Sequence, residues 1–143
     1  MANSLTYDPS QVTVTFLGAN IHGFIDGSFV KAERDEDAFF KQVGADGEWA
    51  RAKNKNKGGK VTFILQQTSV SNDTMATAAK LDELGNGGHG ALIIKDLNGT
   101  TLLNSKEAWV QKMAPLDLAK ELGQREWVLD TGELDIFVGG NAL

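Results

Sequence analysis

Asp130-Thr131-Gly132, preceded by Val128-Leu129, spells the active-site triplet of aspartic proteases. In a retroviral-type protease each chain of a small β-rich homodimer lends one such aspartate to a dyad that shares a proton, since two carboxylates in contact cannot both ionise. The chemistry on offer would be peptide hydrolysis. Two features oppose it: the sequence after Gly132 is too short to hold the flap and C-terminal elements of that fold, and Asp-Thr-Gly is a good turn in its own right. Gly85-Asn86-Gly87-Gly88-His89-Gly90 matches the spelling of a dinucleotide fingerprint. That motif works where a strand enters and a helix N-terminus leaves, so that the helix dipole faces pyrophosphate. Here a helix-forming segment enters and a strand-forming one leaves, which makes the stretch a connection.

The remaining candidates are no stronger. His22 and His89 are the only histidines, and neither has a second ligand at helical or hairpin spacing. The chain has no cysteine, which removes disulfides and thiolate metal sites. Asn98-Gly99-Thr100 spells a glycosylation sequon and reads as a hairpin turn. Trp49, Trp109 and Trp127 are expected to anchor a core or an interface rather than to stack bases. The residues therefore predict a protein with no catalytic set, no cofactor and no metal.

Charge is distributed more tellingly. Residues 51–60 hold Arg51, Lys53, Lys55, Lys57 and Lys60, five of the fourteen bases, and no acid. The rest of the chain carries nine bases against nineteen acids, a formal charge of −10. A general nucleic-acid binder would show a broad positive footprint. One basic glycine-bearing loop on an acidic body is better suited to an acidic protein surface, which could be another copy of the chain.

The elements that must position these residues are short. Val12–Leu17 alternates as a strand, Ile21–Ile25 reads as its hairpin partner, and Ser28–Glu33 follows as a third strand after the Asp26-Gly27 turn. Asp37–Val43 is ambiguous between helix and strand. Gly44–Gly47 is a turn, and Glu48–Arg51 resumes an extended pattern. In the strand at 60–68, Val61, Phe63 and Leu65 share one face, and Thr62, Ile64 and Gln66 share the other, half-polar one. Ser71, Asn72 or Asp73 is expected to cap a helix ending at Gly85, with Met75, Ala78 and Ala79 on its apolar face. Strands are predicted at 91–96, 101–114, 125–130 and 133–138, with a short helix over Leu116–Gly123. The N-terminus shows no secretory pattern, and no apolar run approaches a membrane span. The predicted fold is mainly β, one antiparallel β-sandwich or barrel domain over residues 1–143 with a single packed α-helix.

Several phrases, taken in order, resemble a known family. They are Gly23–Val30, the charge cluster Arg34–Asp37, Val43–Glu48, Gln66–Asn72, Lys95–Thr100, Arg125–Val128 and Val138–Gly140. From about Val12 to Asn141 the chain is similar to the small structural proteins that form the inner tail tube of contractile-tailed bacteriophages. The resemblance implies a virion protein, made in the host cytoplasm, whose hexameric rings stack into a hollow conduit. It implies as partners the protein itself, the sheath, the tape-measure protein, the baseplate and the tail terminator, with DNA only in transit. The tube of a tailocin or a type VI secretion-like device uses the same logic and stays open as an alternative. Such a tube suggests ring-to-ring contacts through the 44–60 loop, with Arg51, Lys53, Lys55, Lys57 and Lys60. Lumen-facing candidates are Thr62, Gln66, Glu126, Asp130, Glu133 and Asp135, since an acidic or neutral lining would let phosphates slide.

Overall fold

The computed structural model describes residues 5–85 and 87–140. In chain order the elements are β1 (Val12–Phe16), β2 (Ala19–Asn20), β3 (Val30–Arg34), β4 (Phe39–Val43), β5 (Trp49–Lys53) and β6 (Gly59–Gln66). Helix α1 (Ser71–Leu84) follows, then β7 (Gly90–Asp96), β8 (Leu102–Val110), β9 (Gln124–Thr131) and β10 (Asp135–Phe137). Eight strands form one antiparallel sheet in the order β2-β1-β7-β8-β9-β6-β3, with β10 beside β8. β4 and β5 pair only with each other.

The sheet bends where β8 meets β9. β9 pairs with β6 along its whole length, from Gly59↔Thr131 to Gln66↔Gln124, but meets β8 only from Ala108↔Thr131 to Val110↔Leu129. The two wings so created turn their apolar faces onto one core. Val14 and Phe16, Leu92 and Ile94, Leu103 and Val110 come from one wing; Val61, Phe63, Leu65, Trp127 and Leu129 come from the other. Met75, Ala78 and Ala79 of α1 close the core, as the helical pattern predicted. Each fully buried large side chain stabilises the fold by roughly 1.5–3 kcal/mol, so this cluster dominates over any surface pair. The core is thus enclosed by one bent eight-stranded sheet and one helix rather than by two facing sheets, and the β4–β5 pair stands outside it.

Four local readings are corrected or decided by the structure. Ile21–Ile25 is not the main partner of the first strand. The Leu17–Gly18 turn, with φ of 54° and 80°, returns the chain only for β2, and β1 pairs chiefly with β7. Ile21 is buried and donates its N–H to the Val14 carbonyl (2.8 Å), after which the chain crosses to bridge Phe24 with Leu65. The ambiguous 37–43 stretch is strand β4, because its hydrogen-bonding partner is β5 across the Gly44–Gly47 turn. Leu116–Gly123 forms no helix. So short a segment cannot repay helix nucleation by propensity alone, and Gly123 is drawn to Gln67 through two hydrogen bonds of 2.8 and 3.1 Å.

The fourth difference lies at the start of α1. Its N-cap is Val70, with no side-chain cap. Ser69 Oγ instead accepts the Ser71 N–H (3.2 Å), and Asn72 turns away from the helix end. The Asn72 amide donates to the carbonyls of Gln66, Ser69 and Gln67 at 2.9–3.3 Å, while its oxygen accepts the indole N–H of buried Trp127 (3.0 Å). Asn72 thus joins β6, α1 and β9. Replacing it by alanine leaves a buried indole donor without a partner, which costs roughly 1–3 kcal/mol. The Asn72→Ala midpoint in urea should fall accordingly, with Trp127 fluorescence reporting the transition; an unchanged midpoint would remove this role.

Candidate functional site

The basic stretch is not one loop. Arg51 and Lys53 lie on β5, Lys55 and Lys57 on the chain that returns from the hairpin, and Lys60 on β6. From Phe39 to Lys53 every residue is exposed, so the β4–β5 hairpin stands away from the body. Its root is well built. Asn54 donates its N–H to the Ala38 carbonyl (2.8 Å) and its amide to the Asp37 carbonyl (2.9 Å), and the Asn56 amide reaches Glu36 (2.5 Å). Lys57 and Gly58 are tied to the sheet by Leu134 N–H→Lys57 O (2.8 Å) and Asp35 N–H→Gly58 O (3.1 Å). Arg34 donates Nε and Nη2 to the carbonyl of buried Leu134 at 3.0 and 2.8 Å.

The register sorts the hairpin's side chains. Directly paired residues share a face, so Phe39 with Lys53, Lys41 with Arg51, and Val43 with Trp49 stand on one side. Phe40 with Ala52, and Gln42 with Ala50, stand on the other. All three cations and the tryptophan therefore project from a single face. The Arg51 guanidinium lies 4.0 Å from the Phe39 ring centre, a cation–π contact. Trp49 is 71 % exposed, and Phe39, Phe40 and Val43 are exposed as well. The sequence marked Trp49 as a core or interface anchor; the core alternative is excluded, and Trp127 fills that role instead.

The lumen candidates divide. Thr62, Gln66, Glu126 and Asp130 lie on one outward face of β6 and β9, where Thr62 pairs with Val128 and Glu126 with Ile64. Lys60 joins this face directly opposite Asp130, which separates it from the hairpin cations. Glu133 and Asp135 fall elsewhere. They border a cleft of about 360 Å³ with Asn104, Lys106, Glu107 and Gly132, next to the His89–Glu107 contact of 2.8 Å.

The protease-like triplet has a structural use. Thr131 is buried, and its hydroxyl accepts the Gly59 N–H and donates to the Gly59 carbonyl, both at 3.0 Å. Gly132 donates its N–H to the Glu107 carbonyl (3.0 Å). Asp130 points away from the core and accepts from the Gln111 amide (3.3 Å). The side chain that the fold requires is the threonine. Thr131→Val should lose roughly 1–3 kcal/mol, since both buried bonds between its hydroxyl and Gly59 are lost, whereas Asp130→Asn should stay within about 0.5 kcal/mol of the parent. Equilibrium denaturation of both variants checks this, and the reverse order would contradict it. Among the described residues no group of three or more His, Asp or Glu is placed to hold a metal, and no helix is long and apolar enough to cross a membrane.

One sequence signal was missed. Leu116, Leu118 and Leu122, in the stretch whose propensity suggests a short helix, are 78 %, 69 % and 78 % exposed on an irregular segment.

Comparison with known proteins sets this geometry in a family context. Residues 14–139 match the family model of the bacteriophage PhiTE tail tube protein. The chain is 32 % identical over 144 residues to structural protein ORF10 of Pseudomonas phage KPP10, covering 95 % of this chain and 83 % of that one. Among solved structures its fold is similar to the tube-terminating cap of the anti-feeding prophage, with a TM-score of 0.62 at 12 % identity over 99 % of this chain and 95 % of the other. It is similar also to the sheath/tube terminator of the extracellular contractile injection system PVC (0.62, 13 %, 96 % and 100 %) and to a chain of the PVC sheath-tube complex (0.60, 13 %, 92 % and 91 %).

Proposed function

Because this chain belongs to the family of bacteriophage PhiTE tail tube proteins, and is thus a structural component of the virion, we propose that it is the protomer of the inner tail tube. In this reading six copies close into a ring, and rings stack into a hollow conduit for the genome and the tape-measure protein. The observation that carries it is the β4–β5 hairpin. A two-stranded ribbon alone in water is marginal at best, and this one opposes Lys41 directly to Arg51, a like-charge pair that weakens it further. An element of that kind suits a contact with another subunit. Arg51, Lys53, Lys55 and Lys57 make the hairpin and its root the ring-to-ring contact, and Lys60 lies on the other proposed surface.

That surface is the outer face of β6 and β9, proposed here as the lumen lining through Thr62, Gln66, Glu126 and Asp130. Glu133 and Asp135, off that face, are assigned to a subunit boundary near the hairpin root. In assembled tubes a cysteine at Thr62 should be reached by small thiol reagents and shielded from reagents too large to enter the lumen. Equal labelling by both would reject the assignment. The sheath, baseplate and tail terminator follow as partners of a tube, and DNA passes without being held.

A second reading is a tube-ending cap, favoured by the likeness to two terminators at the same TM-score as each other. A tube in a related injection device is the third. Negative-stain microscopy of the concentrated protein separates the first two: stacked rings with a central hole indicate a tube, and single rings that never extend indicate a cap. A monomer at every concentration would end both.

A further inference from the structure

The hairpin and the leucine-bearing segment lie at opposite ends of the same ladder. β3, the hairpin root and the start of β6 meet at Gly59↔Thr131. Leu116–Gly123 enters β9 at the far end, where Gln66 pairs with Gln124 and Gly123 is bonded to Gln67. At about 3.3 Å per residue the two ends are roughly 23 Å apart. Each end exposes apolar side chains that nothing among the described residues covers: Phe39, Val43 and Trp49 at one, and Leu116, Leu118 and Leu122 at the other.

The geometry points to the segment Pro115–Gly123 as the receptor for the β4–β5 hairpin of a second copy of this chain, set head-to-tail. This inference rests on the tube reading and names the partner surface that the reading leaves open.

Three observations favour a second copy as the occupant. Both halves of the contact are present and exposed on one chain, at opposite ends, so a copy shifted along the ladder direction offers each exposed surface its mate. Such a heterologous contact does not close on itself and so builds a filament. The receptor has room for a hairpin side chain: a cleft of about 290 Å³ beside it is bounded by Ile25, Asp26, Gln66, Gln67, Thr68, Leu122 and Gly123. The charges also agree. The hairpin's aromatic face carries Lys41, Arg51 and Lys53. Around the receptor Asp26, Asp117 and Glu121 outnumber Lys120 and Arg125, and Arg125 is already engaged with the carbonyls of Asp117 and Gln124 at 3.3 Å.

The absence of native cysteine gives a clean test. A double variant, Val43→Cys on the aromatic face of the hairpin with Ala119→Cys, is assembled and treated with a short bismaleimide. Head-to-tail contact between rings predicts a denaturing-gel ladder that continues past six chains. A ladder that stops at six would place the contact within a ring and overturn the inference, and so would tubes visible by microscopy without cross-linking. Failure to form rings or tubes at all would instead count against the tube reading, so the two failures are distinguishable. In a second arm Leu122→Glu, far from the core, should raise the concentration needed for stacking by about tenfold or more, as loss of a buried anchor does, with the melting temperature unchanged. Stacking at the parental concentration would overturn the receptor assignment.

Discussion

Reversing Lys53, Lys55 and Lys57 to glutamate should abolish ring-on-ring stacking while leaving the fold intact. All three are exposed, and among the described residues none has an ion-pair partner within the chain. The intrachain cost is therefore small, about 1 kcal/mol or less, from repulsion with the Asp35–Asp37 acids at the hairpin root. The expected effect on assembly is large because, in the proposed ring-to-ring contact, three charges change sign at once. Each substitution shifts the charge by two, so the protein moves from −5 to −11. A contact that joined a cationic element to an acidic surface becomes a contact between two acidic ones, and like-charge juxtaposition costs several kcal/mol.

The salt dependence separates this from a folding defect. At physiological ionic strength the Debye length is about 8 Å, so exposed charges at a ring boundary remain partly unscreened. The parent should stack less readily as salt rises, and the triple-glutamate variant should regain some stacking, because its apolar contact through Trp49 is untouched. Sedimentation across a salt series, with circular dichroism on the same samples, measures both. Normal stacking of the variant at moderate salt would show that the basic residues do not drive the contact.

The second large effect is Gly59→Ala, with an expected loss of about 3 kcal/mol or more, a fall of roughly 6–12 °C in melting temperature for a chain of this size. Gly59 is buried where three structures meet: β3, β9 and the turn that holds Leu134. A Cβ there would lie 2.5 Å from both the Glu33 carbonyl oxygen and the Leu134 side chain, and 3.1 Å from the Arg34 Cα. Two of these atoms are backbone in a paired strand, so relief requires the β3–β6 ladder to move. Such movement would also disturb the Thr131 bonds and the Arg34–Leu134 contact. The variant should consequently lose stability and hairpin placement together, unlike the lysine variant, which loses assembly alone. A Gly59→Ala protein that melts with the parent would mean that the close approach relaxes at little cost.

Most strands were legible because their alternation is strong. Val61, Phe63 and Leu65 against Thr62, Ile64 and Gln66 announce a strand buried on one face, and the structure places them so. Met75, Ala78 and Ala79 announced the buried face of α1 in the same way. The errors fell where local pattern competes with tertiary partners. Leu116–Gly123 has helix-forming residues, yet hydrogen bonds to Gln67 hold its end extended. Asn72 has the chemistry of a cap, yet its amide serves three carbonyls and an indole from β9. Ile21–Ile25 has strand-like residues, but only two positions before it find room beside β1.

The candidate site shows the same division. By itself the sequence determined that five bases stand together on an acidic chain, that no cysteine is available, and that a half-polar strand follows the basic stretch. Those are properties of composition and period, which need no partner to be read. Only the tertiary structure decided that Arg51 and Lys53 belong to a projecting hairpin while Lys60 faces Asp130 on the sheet. Register does this, since one step along a strand reverses the side to which a side chain points. Likewise, the Asp-Thr-Gly triplet became a structural clasp only once β6 lay beside β9 and offered Gly59 to the threonine. Pairing between residues more than seventy positions apart is set by the whole core, and no local stretch of the chain contains it.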